Sequence, residues 1–389
     1  MTTTTTQGMV FTDEQEAFAE AIRELCAREL GTREQRDALT DGGQEAHSQS
    51  LYQQMADLGW VGVSIPEEHG GGGGGLVDQC VFFEETFRGM APIYGAGSSS
   101  TVAGVFKRFG SEEQKQEHLT ALAEGAVMAV GISEPEAGSD VGAISCSGKR
   151  VDGGWVVNGQ KTWCSAAHQA THVLLMVRTS REEARQAGLS MFQVPFGQEG
   201  IEVRPISTMG GREVNDVFLT DLFVPDDALV GELGQGWNQI MAGLDGERLI
   251  CAAQGLGMAQ RSLDDLLAYV KERKQFGKPI GSNQALKHRI ADLAIELECS
   301  RLITYDVAAR VDAQRGKGKE LTRLTSMAKV KVTETAKHIA LEGMQMMGGY
   351  GYATEYDMER HVRTSLAPPI YAGTNEIQRE IIAGTLGLR

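Results

Sequence analysis

The runs "GWVVNGQKTW" (residues 154–163) and "HVLLMVRT" (172–179) decide how this chain divides. Each is a short, β-branched and aromatic stretch bounded by Gly, Asp or Ser, too short for a buried helix and too apolar for a loop. Four more runs of the same kind surround them: "AVMAVGI" (126–132), "SMFQVP" (190–195), "IEVRPI" (201–206) and "VFLTDLFVP" (217–225). Gly, Pro, Asp and Asn separate them, so residues 126–235 are expected to form a compact β domain, a barrel or sandwich.

Outward from this segment the apolar period changes from two to about 3.6. Phe18, Ile22, Leu25 and Cys26, then Leu51, Met55 and Leu58, recur at three- and four-residue steps on the N-terminal side. On the C-terminal side Leu249, Ala253, Leu256, Leu263, Leu267 and Val270 mark one long helix, and Leu286, Ile290, Leu293, Leu297 and Ile303 the next. The expectation is a mainly α chain with a central β domain, in three parts: 1–125 helical, 126–235 β, 236–389 helical. The six consecutive glycines at 70–75 cannot hold a helix or strand and read as a flexible surface loop. "RGKGKE" at 315–320 reads as a solvated turn between helices.

Composition narrows the function. A length of 389 residues, 41% hydrophobic and 23% charged, is that of an ordinary globular protein with room for several layers. A formal charge of −15 repels a polyphosphate backbone, so nucleic acid is not an expected partner. The six cysteines (26, 80, 146, 164, 251 and 299) show no metal-ligand or disulfide spacing and read as reduced thiols of a cytoplasmic protein. No secretory or transit pattern opens the sequence and no apolar run reaches membrane-spanning length. His168 and His172 stand four apart but lack a third ligand, so no metal site is expected.

Four segments combine glycine, small hydroxyls and aromatics beyond what packing requires. They are "GISEPEAGSD" (131–140), "KTWCSAA" (161–167), "ERKQFGKPIGSNQ" (272–284) and "QMMGGYGY" (345–352); "PPIYAGTNEIQRE" (368–380) adds a turn that runs into a helix. Such turns offer N–H groups and close backbone approach to a ligand. The clustered Met344, Met346 and Met347 read as packing near it.

In this order and spacing, "SEPEAGSD", "NGQKTW", "ERKQFGKPI", "QMMGGYGY" and "YAGTNEIQRE" resemble the acyl-CoA dehydrogenase flavoenzymes over nearly the whole chain. The resemblance implies a helical N-terminal domain, a β middle domain and a C-terminal four-helix bundle. It also implies FAD, a homotetramer whose subunits complete each other's flavin sites, an acyl-CoA substrate and an electron-transfer flavoprotein as acceptor. By position, Ile132, Ser133 and Ser139 would line the flavin, Trp163 would flank its ring and Ser165 would sit near N5. Arg273, Gln275, Phe276, Gln284, Gln345, Gly348, Gly349, Thr374 and Glu376 would hold the rest of the dinucleotide. Ser139, Asp245, Arg248, Ala372 and Gly373 would contact substrate.

Removing an α-proton needs a carboxylate whose basicity is raised by a dry pocket. Many members of the family place it just before the Gly-Thr of the last motif, where this chain has Ala372. Branches resembling isovaleryl-CoA and long-chain dehydrogenases carry it on the first bundle helix before an arginine, and here Glu247 precedes Arg248. Glu247 is therefore the expected base. The other readings are a dehydrogenase of carrier-tethered acyl or aminoacyl groups, an oxygen-reactive oxidase and an inactive acyl-CoA-binding partner of a hetero-oligomer.

Overall fold

The computed structural model describes residues 11–315 and 318–388. The N-terminal threonine tract and part of the 315–320 turn lie outside the described residues; Lys319 and Glu320 already belong to the following helix. Six helices come first: α1 (Asp13–Leu30), α2 (Arg33–Ala38), α3 (Gln49–Asp57), α4 (Leu76–Arg88), α5 (Gly95–Phe109) and α6 (Glu112–Ala123). Eight strands follow: β1 (Met128–Gly131), β2 (Ser147–Val151), β3 (Gly154–Ser165), β4 (His172–Arg178), β5 (Leu189–Pro195), β6 (Ile201–Thr208), β7 (Gly211–Pro225) and β8 (Leu229–Val230). Then come α7 (Gly236–Glu272), the hairpin β9 (Lys274–Gln275) and β10 (Lys278–Pro279), α8 (Gln284–Asp312), α9 (Lys319–Met347), α10 (Gly349–Tyr352), α11 (Met358–Ser365) and α12 (Asn375–Thr385). Helices flanking a central sheet are the architecture expected from the change of period.

By contact the chain forms two compact units. One comprises residues up to 36, 75–91 and 248–389, the other residues 37–74 and 92–247. The division runs through α7, between Glu247 and Arg248.

In the second unit the strands form one eight-stranded sheet in the order β6-β7-β3-β2-β4-β5-β8, with β1 added in parallel beside β4. Val157, Leu174, Leu175, Val177, Phe192, Val217, Leu222 and Val224 belong to its hydrophobic core, which β4 enters from both faces. Val102, Phe106, Leu119 and Leu122, from α5 and α6, belong to the same core, so these helices close over the sheet rather than standing apart. The glycine run departs from the expected flexible loop. Gly72, Gly73 and Gly74 donate backbone hydrogen bonds to the carbonyls of Gly62, Ile65 and Val63. A Cβ on Gly71 would stand 2.1 Å from the Ile65 carbonyl oxygen. Glycine is there for close backbone approach.

In the first unit α1 packs on α4, α4 on α8 and α8 on α9, and both α11 and α12 pack on α9. Thr12 opens α1 with a reciprocal capping box to Gln15. Helix α7 comes so close to α4 that a Cβ on Gly257 would lie 2.2 Å from the Glu84 carbonyl oxygen. A buried polar link ties these helices: Glu84 accepts from Arg301 Nε at 3.0 Å and from the Tyr305 hydroxyl at 2.7 Å, and Arg301 also donates to Gln260 at 2.9 Å. Burial first, and then the Glu84 charge, pushes the Tyr305 phenol far above its usual range.

Candidate active site

Strand β1 delivers the chain into the turn beginning at Ile132, and two neighbours in β3 hold that turn. Thr162 N–H donates to the Ser133 carbonyl at 2.9 Å, and Lys161 Nζ donates to the Ile132 carbonyl at 3.1 Å. The ammonium also meets Glu134 Oε1 at 2.7 Å, with side chains 0% and 4% exposed. Glu134 accepts in addition from Cys146 N–H at 3.0 Å, Ser145 N–H at 2.7 Å and the Ser145 hydroxyl at 2.9 Å. Burial works against ionising this carboxyl, but the Lys161 charge and these donors outweigh it and hold it below the ordinary carboxylate range. Both charges are thus paired and hydrogen-bonded, the condition for keeping them inside. Sequence reasoning passed over Lys161 and Glu134, although both lie within the quoted motifs.

Beyond Lys161 the pairing of β3 with β7 slips: Lys161 faces Val217 and Cys164 faces Asn215, so Thr162 and Trp163 together oppose one residue. This is a β-bulge. Trp163 takes φ +59° and its indole is 59% exposed. A left-handed backbone at a bulky residue costs on the order of 1–3 kcal/mol and collects at functional sites. Ser165 ends the strand half-buried, and Ser139 lies exposed on the far limb of the turn. His168 has both ring nitrogens engaged, with Glu45 at 3.0 Å and Asn215 at 3.1 Å. On α7, Asp245 and Glu247 are half-buried, and a Cβ at Gly243 or Gly246 would meet nothing within 4 Å.

In the other unit, the end of α7 turns at Arg273 into the β9–β10 hairpin. Its two-residue loop is Phe276-Gly277, with φ +52° and +79°. Positive φ at both positions defines a turn that favours Asn-Gly. Phe276 occupies it nonetheless, with its ring 99% exposed. The Arg273 guanidinium lies 4.9 Å from the centroid of the Tyr350 ring. Tyr269, Tyr350 and Tyr356 pack edge to face or tilted at 5.5–6.3 Å beside it. They line a cavity of about 500 Å³ that also includes Met347 and Asp357. Gln275 and Gln284 are exposed. Gln345 caps the end of α9 through its carbonyl, which accepts from Gly348 N–H at 3.2 Å. Gly348 is left-handed, and both Gly348 and Gly349 have open space where a Cβ would stand. Met346 and Met347 are buried in the core, as packing residues.

The "YAGTNEIQ" turn is held from beneath by a second buried lysine. Lys329 Nζ donates to the Gly373 carbonyl at 2.9 Å and to Asn375 Oδ1 at 3.0 Å. Gln378 donates to the Ala372 carbonyl at 3.0 Å. Ala372 and Gly373 are both left-handed, φ +53° and +75°. Thr374 caps α12 by accepting from Ile377 N–H at 3.2 Å. Glu376 is exposed, its carboxyl held low by its own backbone N–H first and the Thr374 hydroxyl next. Arg248, by contrast, is buried on α7.

In one unit an outward indole on a bulge beside a serine-rich turn suits a flat ring system, and in the other an arginine among aromatics with open glycines beside it suits a phosphate-bearing ligand. Comparison with known proteins agrees. Family models described as "Acyl-CoA dehydrogenase" match as N-terminal domain at residues 12–126, middle domain at 129–222 and C-terminal domain at 234–387. Mitochondrial isovaleryl-CoA dehydrogenase of Solanum tuberosum is 32% identical, over 97% of this chain and 92% of its own. A caffeyl-CoA reductase-Etf complex subunit, CarC, of Acetobacterium woodii is 33% identical, over 97% and 99%. The solved FAD complex of PigA is similar with a TM-score of 0.90 at 26% identity, over 98% of this chain and 100% of that one.

The fold is that of a flavoenzyme class, three-part and with a middle sheet. The chain belongs to the acyl-CoA dehydrogenase family, and it is an FAD-dependent dehydrogenase.

Proposed function

We propose that this enzyme converts an acyl-CoA thioester into its trans-2-enoyl-CoA with Glu247 as the base that takes the α-proton. The observation that carries the reading is Ala372. The last motif turn has no carboxylate there and is locked by Lys329 and Gln378, while α7 offers the half-buried Glu247 next to the buried Arg248. The glycines at 243 and 246 leave room for an acyl thioester beside that face of α7.

Ile132, Ser133, Ser139, Trp163 and Ser165 would line the flavin, and Arg273, Gln275, Phe276, Gln284, Gln345, Gly348, Gly349, Thr374 and Glu376 would hold the rest of the dinucleotide. When bound, FAD supplies the acceptor for the hydride leaving Cβ. Asp245 and Arg248 would bind the CoA arm. A homotetramer is supported by Phe276, whose ring is held out by a strained turn, as an apolar group seeking a partner surface would be. An electron-transfer flavoprotein as acceptor is supported by the Etf complex of the CarC relative. Free cysteines throughout fit a reducing, cytoplasmic setting.

Anaerobic addition of a panel of acyl-CoA thioesters, with flavin absorbance as readout, tests the assignment. Glu247→Gln is expected to slow bleaching by about 10²–10⁴-fold or more, the usual weight of a general base, while acyl-CoA still binds. Adding Ala372→Glu to that variant is expected to restore part of the rate. Undiminished turnover in Glu247→Gln overturns the reading.

A further inference from the structure

Glu117 and His118 lie in the middle of α6, and His172 is the first residue of β4. One ligand atom from each lies within 4.8 Å of the others. All three belong to the same compact unit. His118 is 6% exposed, and its Nδ1 has no hydrogen-bond partner. Its ring packs tilted against Phe106, at 4.6 Å, and edge to face with His172, at 5.2 Å. A buried ring nitrogen left unpaired carries an uncompensated desolvation cost. Phe106 can pack against the ring but cannot satisfy it.

We infer that Glu117, His118 and His172 form a binding site for a divalent transition metal ion of the zinc type. Two imidazoles and a carboxylate are a donor set that suits Zn²⁺, not Mg²⁺ or Ca²⁺, which prefer oxygen ligands. The Thr171 hydroxyl lies 3.1 Å from His172 Nδ1, which leaves Nε2 as the ligand atom and supplies the outer hydrogen bond such ligands carry. Bonds of about 2.0–2.2 Å to a tetrahedral ion bring ligand atoms to about 3.4 Å apart. The exposed Glu117 side chain can approach an ion held by the two imidazoles by rotation about its own bonds.

The ion would clip α6 to the head of β4. Met128 pairs with His172 and Gly131 with Leu175, so the site lies at the opposite end of β1 from the turn at Ile132, about 13 Å away along the strand. Its effect is to stabilise the sheet unit, with chemistry at the flavin left unchanged.

Calorimetric titration of the flavin-loaded enzyme with Zn²⁺ alone, and separately with Mg²⁺ alone, tests this. Expected are one Zn²⁺ per chain, a higher unfolding temperature with the ion, and affinity lowered at least about tenfold in Glu117→Gln and in His172→Gln. Glu117 is exposed, so its variant folds whatever the fate of His172→Gln. Absence of Zn²⁺ binding, equal binding of Mg²⁺, or Zn²⁺ binding undiminished in both variants overturns the inference.

Discussion

Replacing Glu134 by Leu removes the carboxylate that meets Lys161 and that also accepts from Ser145 N–H, the Ser145 hydroxyl and Cys146 N–H. Lys161 then keeps its charge in the core with the Ile132 carbonyl as the remaining acceptor among these contacts. Breaking a buried pair from one side costs about 3–5 kcal/mol. For a unit of 150–250 residues that is a fall in unfolding temperature of about 6–20 °C. Lys161→Met is expected to cost a similar amount, because it strands the carboxylate and releases Ile132. The double variant leaves neither charge unpaired, so its loss should fall short of the sum by about 2–3 kcal/mol. The gap between wild type and Glu134→Gln should also depend on pH. Glu134 is held below its ordinary value, so its contribution is complete above the unfolded carboxyl's pKa of about 4.3 and fades as pH falls through the lower folded value. Thermal unfolding from pH 3 to pH 8, with released FAD followed by fluorescence, measures both effects. Single variants that unfold within about 3 °C of wild type, or losses that simply add, would falsify the account of how this turn is held.

Three further outcomes follow from the geometry. Phe276→Asn gives the hairpin its preferred turn residue; the chain should become slightly more stable to urea, while assembly measured by light scattering and FAD retention both weaken. Gly257→Val forces a branched side chain to within reach of the Glu84 carbonyl and should cost at least about 1–3 kcal/mol, as overpacking does, read from the urea midpoint. Lys329→Met leaves the Gly373 carbonyl and Asn375 short of a donor; turnover should fall with flavin content nearly intact, and equal loss of both would point to global unfolding instead.

The division into helices, sheet and helices was legible because periodicity changes abruptly near residues 126 and 236, and the motif turns because glycine and serine have few structural reasons to cluster there. Other features were hidden for physical reasons. Lys161 and Lys329 are both wholly buried, yet a lysine in sequence reads as surface, since its partners lie 27 and 44 or 46 positions away. The glycine run read as flexible because composition reports backbone freedom and cannot report what backbone approaches it. Nor does linear order disclose that α1 and α4 share a compact unit with helices beyond residue 248. His172 was noticed, but for its spacing to His168; the neighbour that matters, His118, arrives from a different element.

The bulge in β3 has a consequence for which sequence changes this strand can absorb. On an unbroken strand, residues two apart face the same way, yet Lys161 is fully buried and Trp163 stands in solvent. The inserted position acts as a phase slip that sends an ammonium inward and an indole outward within three residues. Deleting Thr162 would therefore do more harm than substituting it, since it would close the slip, leave Trp163 alone opposite Asp216 and take away the backbone N–H that holds the Ser133 carbonyl. What the fold specifies here is the spacing of "KTW" as a unit, and variation in this stretch should be tolerated in kind far more readily than in length.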